Sequence, residues 1–325
     1  PRAAAVHGPA LSQSGRRAGT RESAAMNRTL ASWIVANPGG AVVLTGLLGL
    51  LPLFGLGFAF FLPGAVPALV VLARGPRDGV MVAAGASLLL GLAMWTLGRP
   101  IPVGLIYAIW VLGPPLVLAV LLARSGSLAL CLQVSVLAGV AMVVLLHATL
   151  GDPEQFWAPF VRDLAQEMQR RGLPMDIEQD GLVETLARTL WGWVTVLTML
   201  LAMCALFLAR WWQARLGSPA GSFGGEFQQL RLGVVLGVAA AVSIAASFLS
   251  ERTLVDDLAR LFMGALMVVG LAAAHRFKAE GRLNGAWLWA IYLLLVLAAP
   301  VMVAALAGWG FVDNWLRSQG AAQRA

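Results

Sequence analysis

The chain is poor in charge, and in lysine most of all. Only 12% of its 325 residues are Asp, Glu, Lys or Arg, about half of the roughly 25% usual in a soluble domain. Lys278 is the sole lysine, so arginine supplies nearly all of the basic charge. Histidine occurs three times and cysteine twice. His7 lies near the N-terminus, while His147 and His275 fall at the ends of apolar runs expected on opposite faces of a membrane, which excludes a shared metal site. Cys131 and Cys204 sit inside apolar runs; they read as small buried hydrophobes and supply neither a disulfide framework nor a metal-ligand spacing. A phosphate-cradling Gly-Lys-Ser/Thr loop, a Gly-x-Ser-x-Gly elbow and a His-Glu-x-x-His helix are all missing. The Gly-Leu-Gly at Gly55–Gly57 lacks the preceding strand of a dinucleotide loop. No catalytic residue, metal or cofactor is therefore expected. The formal charge of +7 gathers into no basic face, so nucleic acid is not an expected partner.

What is abundant is hydrocarbon. The sequence is 59% hydrophobic with a mean hydropathy of +0.79. Apolar stretches of about 20 residues recur, each long enough to cross a hydrocarbon layer of roughly 30 Å as a helix. Runs such as Ile291 to Ala299 do not alternate in polarity, which excludes the strands of an outer-membrane barrel. The expected fold is an all-α polytopic transmembrane bundle of eight or nine spans with an amphipathic extramembrane helical insertion. Spans are expected at roughly 40–58, 61–74, 80–98, 103–123, 128–149, 190–210, 231–249, 254–275 and 286–309. Asn37-Pro38-Gly39-Gly40 should break the chain between a short interfacial helix carrying Trp33 and the first span. Pro114 and Pro115 should kink or break the fourth. Residues 1–25 lack a hydrophobic core and read as a disordered leader, with Met26 expected as the natural start; residues 26–325 read as one transmembrane domain.

Residues 151–190 depart from this pattern. They hold eight of the sixteen acids against four arginines. Pro159 can open a helix whose apolar stripe is Phe160, Val161, Leu164 and Met168. A second piece is expected to open at Asp176, capped with Gln179, and to run into span six. Two amphipathic helices on the membrane surface or over the bundle mouth are expected. With the N-terminus inside, the short connectors on that side carry ten basic residues against five outside, which favours a cytoplasmic N-terminus.

No ionised side chain falls near the middle of an expected span, which argues against a self-sufficient ion-driven pump. Gln133, Ser135, Trp95 and Tyr107 are sparse polar or aromatic candidates within the spans. Trp110, His147, Trp157 and Trp191 are the candidate ligand-binding residues. In span seven Gly233, Gly237, Ala241 and Ala245 recur every fourth residue, a small-residue groove for close helix approach; Gly55 and Ala59 offer a shorter one. Before it, "SFGGEFQQLRLG" (Ser222 to Gly233) places Phe223, Phe227 and Leu230 on one helix face, with Glu226, Gln228 and Arg231 as a candidate partner-facing loop.

"FGGEFQQLRLG" opening a span after the Trp-flanked "WGWVTVLTMLLAMCALFLARWWQARL" resembles the YybS-like family of uncharacterised bacterial polytopic membrane proteins. The early "FFLPGAVPALVVLARGPRDG" is similar to that family's proline-bearing second span and basic turn. The resemblance covers most of residues 39–310. It is distantly similar to the substrate-binding S components of energy-coupling-factor transporters, and so implies an inner-membrane protein that binds a small molecule or lipid, here under residues 151–190. The alternative is a scaffold that docks a membrane protein partner through the span-seven groove and the Glu226–Arg231 loop. Enzymatic activity has the least support, because no nucleophile–base pair is visible.

Overall fold

The computed structural model describes residues 29–172, 181–217, 223–250 and 252–322. Among these the chain is helical and contains no strand. The expected leader at 1–25 and the expected helix opening at Asp176 and Gln179 lie outside the described residues. The helices are α1 (Thr29–Ala36), α2 (Pro38–Leu50), α3 (Leu62–Arg74), α4 (Pro76–Thr96), α5 (Ile101–Ser125), α6 (Leu128–Leu150) and α7 (Pro153–Arg170). They continue with α8 (Leu182–Arg215), α9 (Phe223–Gln228), α10 (Gly233–Ser247), α11 (Thr253–Ala279), α12 (Gly285–Leu297) and α13 (Ala299–Ala322).

Five helices, α4, α5, α6, α8 and α11, are long and apolar enough to cross a membrane. α1 and α2 make a sixth if counted together, but they bend by 114° at Asn37, where Pro38 interrupts the helix. The chain is a multi-pass membrane protein by this measure, and eight or nine crossings are not confirmed. The shortfall is one of length. α3 and α12, with 13 residues each, and α10, with 15, reach only about 20 Å at 1.5 Å per residue, short of the roughly 30 Å hydrocarbon layer.

The chain divides into two compact units, residues 1–112 with 205–221, and residues 113–204 with 222–325. In the first unit α3 is buried along its whole face, from Pro63 to Val71. Its apolar character is therefore that of a core helix rather than a lipid-facing one. Gln213 donates to the Leu72 carbonyl at 2.6 Å, and Arg74 donates to the Val35 carbonyl at 3.0 Å. Both satisfy backbone groups near helix ends, where intrahelical partners run out.

In the second unit, α5 runs unbroken through Pro114 and Pro115. The expected break does not occur. The two prolines leave the carbonyls of Trp110 and Val111 without their usual N–H partners, a loss that helices in a bundle tolerate. The expected ninth span, 286–309, also does not form as one helix. Ala298 is non-helical (φ −137°, ψ 49°), and Pro300 cannot donate to the Val296 carbonyl. α12 and α13 instead form a hairpin. Gly285, at its start, lies beside Lys278, and Asp313, near its end, pairs with Arg276, so both ends return to the C-terminal end of α11.

α13 packs on α11 without side chains between the two backbones. A Cβ on Gly270 would overlap the Leu306 carbonyl, and one on Gly310 would overlap the Leu266 carbonyl. Two Leu-x-x-x-Gly segments thus face one another reciprocally, the close approach that small residues permit in membranes. Gly308 sits two residues away in open space. Gly310→Ala should therefore destabilise the protein by about 1–3 kcal/mol through overpacking. Gly308→Ala should leave the apparent Tm in detergent unchanged; thermal unfolding of the two variants side by side makes the comparison.

Candidate functional site

Two polar clusters stand at opposite ends of the second unit. α11 carries one at Asp257 and the other at Arg276, separated along its axis by roughly 28 Å.

The Asp257 end is built by α6, α7, α8 and α11. Asp257 is 0% exposed. A buried carboxylate must be paired, and it is: His147 Nε2 lies at 2.9 Å and the Arg260 guanidinium at 2.8 Å. Gly192 of α8 packs so closely that a Cβ there would overlap the carboxylate. The neighbouring Trp191, only 3% exposed, stacks in an aromatic group with α7. Its ring centre is 5.0 Å from Trp157 and 4.8 Å from Phe156, and Phe160 lies 5.6 Å from Trp157. The indole nitrogens of Trp157 and Trp191 are buried and have no hydrogen-bond partner among the described residues. Each such donor costs about 1–3 kcal/mol when left unmade.

α7 lies over this group because its sequence is amphipathic. Asp152 caps it by accepting from Glu154 N at 2.8 Å, and Pro153 opens it. Ala158 and Val161 face Val183 and Ala187 of α8, with Trp157 and Leu190 alongside. Two ion pairs, Glu154–Arg188 at 2.6 Å and Arg162–Glu184 at 3.2 Å, flank that contact. They are solvent-exposed and worth about 0.2–1 kcal/mol each, so the fastening is light. At the far end of α7 the Arg171 guanidinium, aided by Arg170, holds the Glu167 carboxyl below its ordinary range.

Of the four candidate ligand-binding residues, three therefore converge: Trp157 touches Trp191, Trp191 adjoins Gly192 at Asp257, and Asp257 pairs with His147. Trp110 does not join them. It belongs to the first unit, with its ring 5.9 Å from Phe60, beside Tyr107, whose hydroxyl donates to the Gly49 carbonyl at 2.8 Å. Trp95 is exposed. Asp257 and Arg260 escaped the sequence reading because they lie within the first turns of a span, where charge is routine. The available signal was their spacing, three apart on one helix face.

The Arg276 end is built around the segment 228–233, which joins α9 to α10. Leu230 and Leu232 are buried, so its peptide groups need protein partners. Asn314 supplies three contacts. Its Oδ1 accepts from Leu232 N at 2.8 Å and Gly233 N at 3.0 Å, while its Nδ2 donates to the Gly233 carbonyl at 2.9 Å. Arg317 donates to the carbonyls of Gln228 and Leu230, Arg276 to that of Gln228, and Gln133 to that of Arg231. Asp313 holds Arg276 directly and Arg317 at 3.8 Å. Gly233 adopts φ +81°, open to glycine at no steric cost.

Thus the loop residues Gln228 and Arg231 engage their own chain through backbone carbonyls, and Glu226 sits on α9 just before them. The small-residue series divides. Gly237 packs under Asn314, Ala240 is buried beside it, Ala241 is half-buried and Ala245 is exposed. Asp313, Asn314 and Arg317 lie beyond the last expected span and are buried or half-buried on α13. Their offsets of three, four and seven residues from Gly310, which share one helix face, were the legible signal. Ser135 donates to the Leu132 carbonyl within its own helix.

Among the described residues no group of three His, Cys, Asp or Glu side chains is placed to hold a metal ion. No protein-family model, curated protein or solved structure matches the chain.

Asn314→Ala should orphan the buried Leu232 N–H and the half-buried Gly233 N–H and destabilise the protein by about 2–6 kcal/mol, at about 1–3 kcal/mol for each. Chemical or thermal unfolding in detergent measures it, and a loss below 1 kcal/mol would mean that water replaces the amide.

Proposed function

We infer that the chain is a binding or transport protein of the bacterial inner membrane, similar to S components, which holds a small molecule or lipid beneath α7. Membership of the YybS-like family and a cytoplasmic N-terminus belong to the same proposal. The observation that carries it is the pair of buried indole donors without acceptors, Trp157 and Trp191, set beside the His147–Asp257–Arg260 cluster under a lightly fastened surface helix. Native structures rarely leave buried donors unmade, and an acceptor on a ligand would complete them. The scaffold alternative has less support, since Gly237 and the 228–233 backbone are already engaged within the chain. Among the described residues no paired nucleophile and base favours an enzymatic role.

Native mass spectrometry of the protein extracted from bacterial membranes tests the binding. The wild type should retain a bound molecule that Trp191→Phe and Trp157→Phe release more readily. Equal spectra, with no added mass in any of them, would remove the proposal.

Orientation has its own measurement. In a cysteine-free background, Asp163→Cys should react with an impermeant maleimide from the periplasmic side and Gln229→Cys only from the cytoplasmic side. Labelling of both from one side would reverse or discard the assignment.

A further inference from the structure

The second unit contains a cavity that the cluster at Asp257 does not use. It encloses about 310 Å³ between α5, α6 and α8, at the lower end of the range for small-ligand pockets. Pro114 and Val117 of α5, Val134 and Met142 of α6, and Met199 and Ala202 of α8 are among the residues that line it. The polar atoms in the wall are spent. Ser135 donates to the Leu132 carbonyl at 2.8 Å, Thr195 to Trp191 at 2.9 Å and Thr198 to Val194 at 2.7 Å, all within their own helices. A cavity lined in this way stays dry and takes apolar occupants. Two of its lining residues, Val117 and Ala138, are exposed. The cavity therefore opens sideways between α5 and α6, both apolar enough to cross a membrane, onto lipid rather than water.

Its other end reaches towards the indoles. Thr195 lines the cavity and lies one turn from Trp191 on the same face of α8. Gly139 lines it too, packed against Thr195 and Leu261, and Leu261 is one turn from Asp257. Thr195 thus brings the dry hydrocarbon slot within about one helical turn, roughly 5 Å, of Trp191 along α8, and the Trp157 ring lies against that of Trp191. Hydrocarbon on one side and hydrogen-bond donors on the other is the complement of an amphiphile. The volume suits one chain rather than two.

We propose that the protein binds a single-chain amphiphile drawn from the bilayer, its tail in the α5–α6–α8 cavity and an acceptor oxygen of its head, ester carbonyl or phosphate, on the indole N–H groups of Trp157 and Trp191. This rests on the ligand-binding reading above and adds the tail. The cavity sets the length and number of chains; the indoles require an acceptor oxygen on the head. Trp157 and Trp191 are binding residues, and Asp257 positions Gly192 and hence Trp191.

The test is photo-crosslinking of the full-length protein in phosphatidylglycerol nanodiscs doped with either of two probes. One is a monoacylglycerol and the other a lysophospholipid, each with a diazirine at the chain terminus. Cross-links should map to Met142, Met199 and Ala202. Ala202→Phe, which fills the cavity, should abolish them, and Trp191→Phe should lower their yield about fivefold, as expected for one lost hydrogen bond. Stronger capture of the lysophospholipid identifies the acceptor as phosphate; equal capture identifies the ester carbonyl that both probes carry. Should Ala202→Phe fail to fold, judged by its unfolding profile, Ala138→Leu narrows the same slot from its open side. If the tryptophan variants reduce capture while no cavity residue is labelled, the tail assignment is overturned and the ligand site stands. If label appears only at lipid-exposed residues such as Val235 and Trp289, equally in every variant, both are overturned.

Discussion

A peptide group buried away from water must find a partner in the protein, and residues 228–233 are where this demand shapes the fold most. The segment is too irregular to satisfy itself and too buried for solvent. Side chains from three helices therefore close on it: Gln133 from α6, Arg276 from α11, and Asn314 and Arg317 from α13. That requirement fixes α13 next to α10 and explains why a helix opening with Ala-Pro-Val-Met-Val carries Asp, Asn, Arg and Ser in its later turns. Asp313 then holds the two arginines, which would otherwise be half-buried charges at a cost of several kcal/mol.

The opposite end answers a different constraint. Asp257 is buried and paired, but the aromatic group beside it is packed without being fully satisfied. Its lid, α7, is joined to α8 by a small apolar contact, the Phe156 and Trp157 rings against Trp191, and two exposed ion pairs. Local stability is low where few apolar contacts and exposed bonds hold an element. The rigid end and the light end share α11, so the unit has a firm base and a loosely closed mouth.

The membrane class and the break at Asn37 were legible because each rests on local chemistry: hydropathy over about 20 residues and a proline. The helix expected to open at Pro159 opens instead at Pro153, with Pro159 inside it, and of the expected stripe only Val161 is buried, Phe160 and Leu164 being exposed. Three of four candidate ligand residues came together for a related reason, since large aromatics and a histidine at helix ends are conspicuous in apolar sequence. Trp110 shared the composition but not the place, because sequence spacing says nothing about which unit a helix serves. The expected eight or nine crossings are not confirmed where apolar length runs across breaks: Ala298 divides one expected span, and α3 is apolar and buried. Asp313, Asn314 and Arg317 were hidden by their position near the C-terminus, where polar residues are expected to be solvated. Their role depends on segment 228–233, more than eighty residues earlier for Asn314.

The glycine crossing of α11 and α13 has a genetic corollary. At Gly49 an added methyl would meet only the Leu90 side chain, so a smaller residue at 90 could act as a second-site suppressor. At Gly270 and Gly310 the obstruction is a main-chain carbonyl oxygen, which no codon change can trim. Damage there is irreparable by compensation within the pair, and any lineage that keeps this helix crossing must keep both glycines.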